Sequence, residues 1–295
     1  MNHHRSLLGG IEAGGTKFVC SIGHPPDEIH ATERFPTTTP EETVRRAIRF
    51  FQSQPQLPER IGIATFGPAD LNLNSDTYGF ITSTPKPGWS HTDLAGCIQR
   101  ELHVSIAFDT DVNGAAMGEY LWGAGCGLKN LLYLTVGTGF GGGALVNGRP
   151  IHGLVHPEMG HLLLPRAEGD TYEGHCPFHR TCLEGMATGP AIQDRWGVAA
   201  EELPEDHLGW IFEVHYLSHA VVNLMLTLSP ERIIMGGGVM QQKHLFPAIQ
   251  SKVLSLLNGY VQSPKILEEI DQYIVPPQLG NDAGVLGAMA LTMIQ

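Results

Sequence analysis

Two stretches of this chain, 7–23 and 131–146, follow one plan: an apolar β-forming run, a tip of glycine and threonine, and a second β-forming run. The first tip is Glu12-Ala13-Gly14-Gly15-Thr16-Lys17; the second is Gly137-Thr138-Gly139-Phe140 followed by three more glycines. A chain of 295 residues has room for two domains of ordinary size, so a recurring hairpin predicts a duplicated α/β architecture with one hairpin per half. The boundary is expected between the hairpins, giving halves 1–120 and 121–295. Each tip offers glycine N–H groups that no side chain screens, beside a threonine hydroxyl, and that is an anion-binding arrangement. One such tip is an ordinary β-turn. The matched pair is read as a phosphate clamp made by Gly14, Gly15 and Thr16 with Gly137, Thr138 and Gly139, and Lys17 adds a point charge. Neither tip has P-loop or Gly-x-Gly-x-x-Gly spacing, which disfavours the usual dinucleotide folds.

Between the tips, Thr39 is placed to cap a helix over 40–52, and a strand over 61–66 stops at Gly67-Pro68. Residues 70–89 have loop composition. A strand over 104–108 runs into Asp109-Thr110-Asp111 and a helix over 112–122. Asp111 therefore sits where a strand ends and a helix begins, the place where active sites of open α/β sheets collect, and is a candidate general base. The competing reading is local: Thr110, Asp111 or Asn113 as a helix N-cap. Past the second hairpin, a helix is expected over 210–228, a strand over 232–235 leading into Gly236-Gly237-Gly238, and a closing helix over 281–294.

The stretch 150–180 is rich in His, Pro and Gly and needs some means of order other than a core. Cys176, His179 and Cys182 are spaced Cys-x-x-His-x-x-Cys, with His161 upstream. Two thiolates and two imidazoles form a closed tetrahedral zinc set, structural because no coordination position stays open for water. Glu158 and Glu184 flank that set and suit hydroxyl recognition, because an ionised carboxylate accepts hydrogen bonds at both oxygens. His3, His4, His152 and His156 carry no ligand spacing and are read as solvated.

Eighteen Lys and Arg against 30 Asp and Glu give a net charge of −12, which repels nucleic acid and anionic membranes. No run is read as a spanning helix, and the opening MNHHRS lacks the apolar core of a signal peptide. Five scattered cysteines fit a reducing compartment, so a cytoplasmic location is expected.

The order GGIEAGGTKF, FGPADL, TSTPKPGW, TDVNGAAMGE, VGTGFGGG, HPEMGH, CPFHRTCLEG, ATGPAI and MGGGVMQQK resembles the ROK sugar kinases over residues 8–291, and within them the bacterial fructokinase branch. The resemblance implies the two-lobed, duplicated fold of actin and hexokinase (ribonuclease H-like), with nucleotide and sugar meeting between the lobes. It implies an ATP- and Mg²⁺-dependent hexose kinase, D-fructose first, working as a homodimer. Asp111 would take the proton of the attacking hydroxyl. Thr110, Glu158, His161 and Glu184 would hold the sugar. Gly236, Gly237, Gly238 and Pro190 would border the adenosine, and His161 would serve metal and sugar together. Three positions depart from common family usage: Glu12 for Asp, Thr110 for the Asn of glucose-phosphorylating members, and His179 for a third cysteine. Glucokinase or mannokinase activity is the alternative within the family. Its sugar-responsive repressors carry a helix-turn-helix ahead of the first hairpin, for which six residues precede Leu7 here, so a regulator or a silent sugar sensor is the less expected reading.

Overall fold

The computed structural model describes residues 6–294. The opening residues read for a leader, and His3 and His4 among them, lie outside that range. The chain forms two compact units: Met1–Gly127 with Gly148–Pro157 and Gln278–Gln295, and Leu128–Asn147 with Glu158–Pro277. These are not the contiguous halves 1–120 and 121–295, because two later segments return to the first unit.

In the first unit, β1 (Leu8–Ala13) pairs antiparallel with β2 (Lys17–His24), and β2 with β3 (Glu28–Pro36). On the other side β1 runs parallel to β4 (Arg60–Thr65), which runs parallel to β5 (Ser105–Thr110). The sheet order is therefore β3-β2-β1-β4-β5. Helix α1 (Pro40–Gln52) begins as expected, with the Thr39 side chain accepting from the Glu42 N–H. Helix α2 (Leu94–Leu102) is capped by Asp93, and α3 (Asp111–Trp122) follows β5 directly.

The C-terminal helix Ala283–Leu291 packs on this sheet and on α3. Small residues make that possible: a Cβ on Gly62 would strike the Ala288 carbonyl, and one on Gly287 the Gly114 carbonyl. The irregular stretch over 70–89 is pinned from inside. Trp89 is fully buried, packs tilted against Phe18 and edge-on to Phe66 with ring centroids 5.6 and 5.5 Å away, and donates its indole N–H to the Thr38 carbonyl at 2.8 Å.

The second unit repeats the plan. β6 (Leu131–Val136) pairs antiparallel with β7 (Phe140–Val146) and parallel with β8 (Arg232–Gly236), which pairs parallel with β9 (Ile274–Val275). The order β7-β6-β8-β9 matches β2-β1-β4-β5 strand for strand. Helices α4 (Gly189–Trp196), α5 (Gly209–Leu228) and α6 (Leu245–Leu257) complete it. The expectation that no run could span a membrane needs correction: by length and composition α5 qualifies, the one such helix among the described residues. Its buried positions, including Trp210, Glu213, Tyr216, Leu217, Ala220, Val221 and Leu224, recur at helical spacing, the pattern of a helix packed on one face.

The His- and Pro-rich loop does have polar anchoring of its own. Asp170 is buried, accepting from the Tyr216 hydroxyl at 2.5 Å and the Tyr172 N–H at 2.9 Å, and it pairs with Arg195.

Candidate active site

In the first unit, Ala13, Thr65 and Thr110 stand in one row across β1, β4 and β5. The parallel strands thus end together, and the first glycine tip and the turn carrying Asp111 leave the same edge of the sheet, where ligands of open α/β sheets bind. The tip is braced. The Gly14 N–H donates to the Lys17 carbonyl at 3.0 Å, and Thr37 holds both flanks through its hydroxyl on the Gly14 carbonyl (2.7 Å) and its N–H on the Thr16 carbonyl (2.9 Å). The Gly14 N–H therefore closes the turn itself. Gly15 has open space where a side chain would stand, and Lys17 is exposed. On β1, burial raises the pKa of Glu12, against the pull of Lys17 and Arg34.

The two local readings of the Asp109-Thr110-Asp111 turn separate here. Thr110 is the N-cap, its hydroxyl oxygen accepting from the Asn113 N–H at 3.3 Å. The Thr110 hydroxyl keeps its own proton to donate. Asp111 is the first helical residue, half-buried, with Oδ1 accepting from the Val112 N–H at 2.8 Å.

Of the histidines read as solvated, His156 is buried, whereas His152 is exposed but hydrogen-bonded. The Asp109 carboxylate accepts from the Thr110 N–H (2.7 Å), the Asn113 side-chain amide (2.8 Å) and His152 Nε2 (2.9 Å). His156 is buried, its Nε2 accepting from the Ala69 N–H at 3.2 Å. Spacing could not have exposed the Asp109–His152 pair, whose members lie 43 residues apart.

In the second unit, Gly236 pairs with Thr135, so the second tip and the Gly236–Gly238 turn also leave one edge together. The Gly137 N–H closes the tip on the Gly139 carbonyl at 2.9 Å. The Gly189 N–H donates to the Gly137 carbonyl, also at 2.9 Å, and brings the start of α4, with Pro190, onto the tip. Gly237 has φ +94°, and a side chain there would run into the Val136 carbonyl, so this turn requires glycine.

Glu184 joins this tip in a way the spacing did not predict. Its Oε2 accepts from the Phe140 N–H at 3.1 Å and would lie 3.0 Å from a Cβ on Gly139. Gly139→Ala is accordingly expected to displace the Glu184 carboxylate and to raise KM for the ligands bound at the tip and at Glu184. Steady-state kinetics with each varied in turn checks this, and a change confined to one of them would uncouple Glu184 from the tip.

The four proposed metal ligands do come together. Cys176 Sγ lies 3.9 Å from Nδ1 of both His161 and His179, and Cys182 Sγ lies 3.5 Å from His161 Nδ1. All four ligand atoms fall within 4.8 Å of one another. A tetrahedral zinc with ordinary bond lengths has S···N edges of about 3.5 Å, so the donor set and its spacing fit the ion. Burial, then the Cys176 thiol beside it, pushes Cys182 up to about 11. The backbone turn Met159–His161 ties the loop together, with the His161 N–H donating to the Glu158 carbonyl at 3.0 Å.

Residues 8–294 match the sequence profile of the ROK family. The chain is 42% identical to the fructokinase of Pediococcus pentosaceus, over 97% of both chains. It is also 42% identical to the fructokinase of Zymomonas mobilis, over 99% of this chain and 98% of that one. Among solved structures it resembles the ROK hexokinase of Thermus thermophilus, with TM-score 0.80 and 24% identity over 97% of each. That likeness shows the fold, the duplicated α/β architecture of the actin and hexokinase type.

Proposed function

The chain belongs to the ROK family, and on that footing we propose that it transfers the γ-phosphoryl group of ATP to a hexose, D-fructose before mannose or glucose, giving fructose 6-phosphate. The observation that supports the reading is the shared row of Ala13, Thr65 and Thr110, which brings the first glycine tip and a helix-initial carboxylate to one sheet edge. The preference for fructose rests on relatives of that name at 42% identity over nearly the whole chain.

In this mechanism the Asp111 carboxylate takes the proton of the sugar hydroxyl as its oxygen attacks the γ-phosphorus. A P–O bond to the sugar forms, the bridging P–O bond to the β-phosphate breaks, and ADP leaves. Thr16 and Lys17 from the first tip, and Thr138 and Gly139 from the second, donate to the phosphates. Gly236–Gly238 and Pro190 border the adenosine. Mg²⁺ carried on the ATP supplies the charge neutralisation that a protein of net charge −12 does not. Its oxygen preference keeps it distinct from the thiolate and imidazole site.

Zinc held by His161, Cys176, His179 and Cys182 supplies the loop with structural order. His161 turns Nδ1 to the thiols. Its Nε2 then carries the proton and can donate to a sugar hydroxyl, while Glu158 and Glu184 accept from others and Thr110 donates. We take the working form to be a cytoplasmic homodimer, which sedimentation of the purified protein checks.

Coupled ADP-release assays with ATP and Mg²⁺ over a hexose panel test the assignment. The highest kcat/KM is expected for D-fructose. A higher value for glucose would reassign the acceptor, and no turnover with any hexose would remove the kinase.

A further inference from the structure

The Asp109 carboxylate is the hub of the turn that carries Asp111. Its side chain is 6% exposed, and two of its three hydrogen bonds go to residues flanking Asp111: the Thr110 N–H and the Asn113 amide. The third partner, His152, comes from outside the turn, on the segment Gly148–Pro157 that returns to the first unit. That segment is fastened a second time by His156, which accepts the Ala69 N–H just beyond β4. The segment therefore holds both the turn that follows β4, at Ala69, and the end of β5, at Asp109.

A buried carboxylate keeps its orientation only while its lone pairs are met. We propose that His152 is a positioning residue for Asp111: its Nε2–H, bonded to the Asp109 carboxylate, fixes the turn that aims the base, most firmly when the imidazole is protonated. This rests on the reading of Asp111 as general base.

Because a carboxylate is an acceptor, the His152 nitrogen is the donor in either protonation state. The bond to Asp109 raises the His152 pKa, against the effect of its partial burial. A cavity of ≈ 370 Å³ beside the pair brings two further ionisable groups near it. These are Arg60, which donates to the Thr292 carbonyl, and Tyr78, whose pKa is raised by burial and then by Asp109. The sign follows from the direction of the His152 shift. The charge-assisted bond is fully present below the ordinary histidine range and reverts to a neutral bond, roughly half as strong, as pH rises through the raised value.

The test compares kcat, KM and pH profiles of the full-length wild type, His152→Gln and His152→Ala, with Asp111→Asn alongside. His152→Ala is expected to lose about tenfold in kcat at neutral pH and less above the raised His152 range, with fructose KM changing less, as a misaimed base does. His152→Gln keeps a donor that does not titrate, so it should retain most of the neutral-pH kcat and lack the alkaline decline of the wild type. It also answers the question if the alanine variant fails to fold. Wild-type kcat and an unchanged alkaline limb in His152→Gln, with Asp111→Asn inactive, would overturn the positioning role and leave the base standing. Near-normal turnover in Asp111→Asn would overturn the base, and the role of His152 with it.

Discussion

Asp111→Asn is expected to lower turnover by ~10²- to 10⁴-fold, the range for loss of a general base, while fructose affinity and folding stability stay near the wild type. Stability should hold because the cap of α3 is the Thr110 hydroxyl, which the substitution leaves in place. The new amide can also still accept the Val112 N–H through Oδ1, as the carboxylate does at 2.8 Å. What it cannot do is take a proton from a sugar hydroxyl. Thr110→Ala is the complementary control, since removal of a threonine cap typically costs about 1 kcal/mol of stability. Single-turnover kinetics, calorimetric titration with fructose and thermal melts separate these contributions. Near-normal turnover with an earlier melt in Asp111→Asn would reduce that residue to a structural part of the helix start.

The second large effect concerns the metal. Protein purified without added metal should carry about one zinc per chain. Cys176→Ser and Cys182→Ser should lower zinc affinity by more than ~100-fold, because each removes a ligand rather than a supporting contact. Fructose KM should rise with the loss, since Glu158 and Glu184 stand within three residues of His161 and Cys182 on the loop that the ion would order. The hydrogen bond from the Phe140 N–H to Glu184 also ties the loop to the second glycine tip. ATP binding should therefore weaken too, though less than sugar binding. Elemental analysis paired with both Michaelis constants measures this, and zinc-free protein with full activity would contradict it.

The parts legible in the sequence were those with short-range causes. The strand Leu131–Val136 shows as an unbroken apolar run ended by glycine, and α1 as a threonine cap followed by Pro40 and apolar residues at helical spacing. The gathering of His161, Cys176, His179 and Cys182 was legible because three of the four lie within seven residues. The edge strand Glu28–Pro36 was not, because it is largely exposed and shows little apolar alternation. The return of the C-terminal helix to the first unit depends on glycines at positions 62, 114 and 287, whose meeting has no local signature. The support beneath the candidate base was hidden for the same reason. Asp109 and His152 form their pair across 43 residues, and His152 alone looks like one more polar histidine among 15.

The most direct test is to incubate purified protein with D-fructose, ATP and Mg²⁺ and identify the products by phosphorus NMR. The account predicts one phosphate monoester at C6 of fructose for each ADP formed, with both products forming at least ~100-fold more slowly in Asp111→Asn under the same conditions. ADP with inorganic phosphate and no sugar phosphate, or no ADP with any hexose supplied, would contradict it.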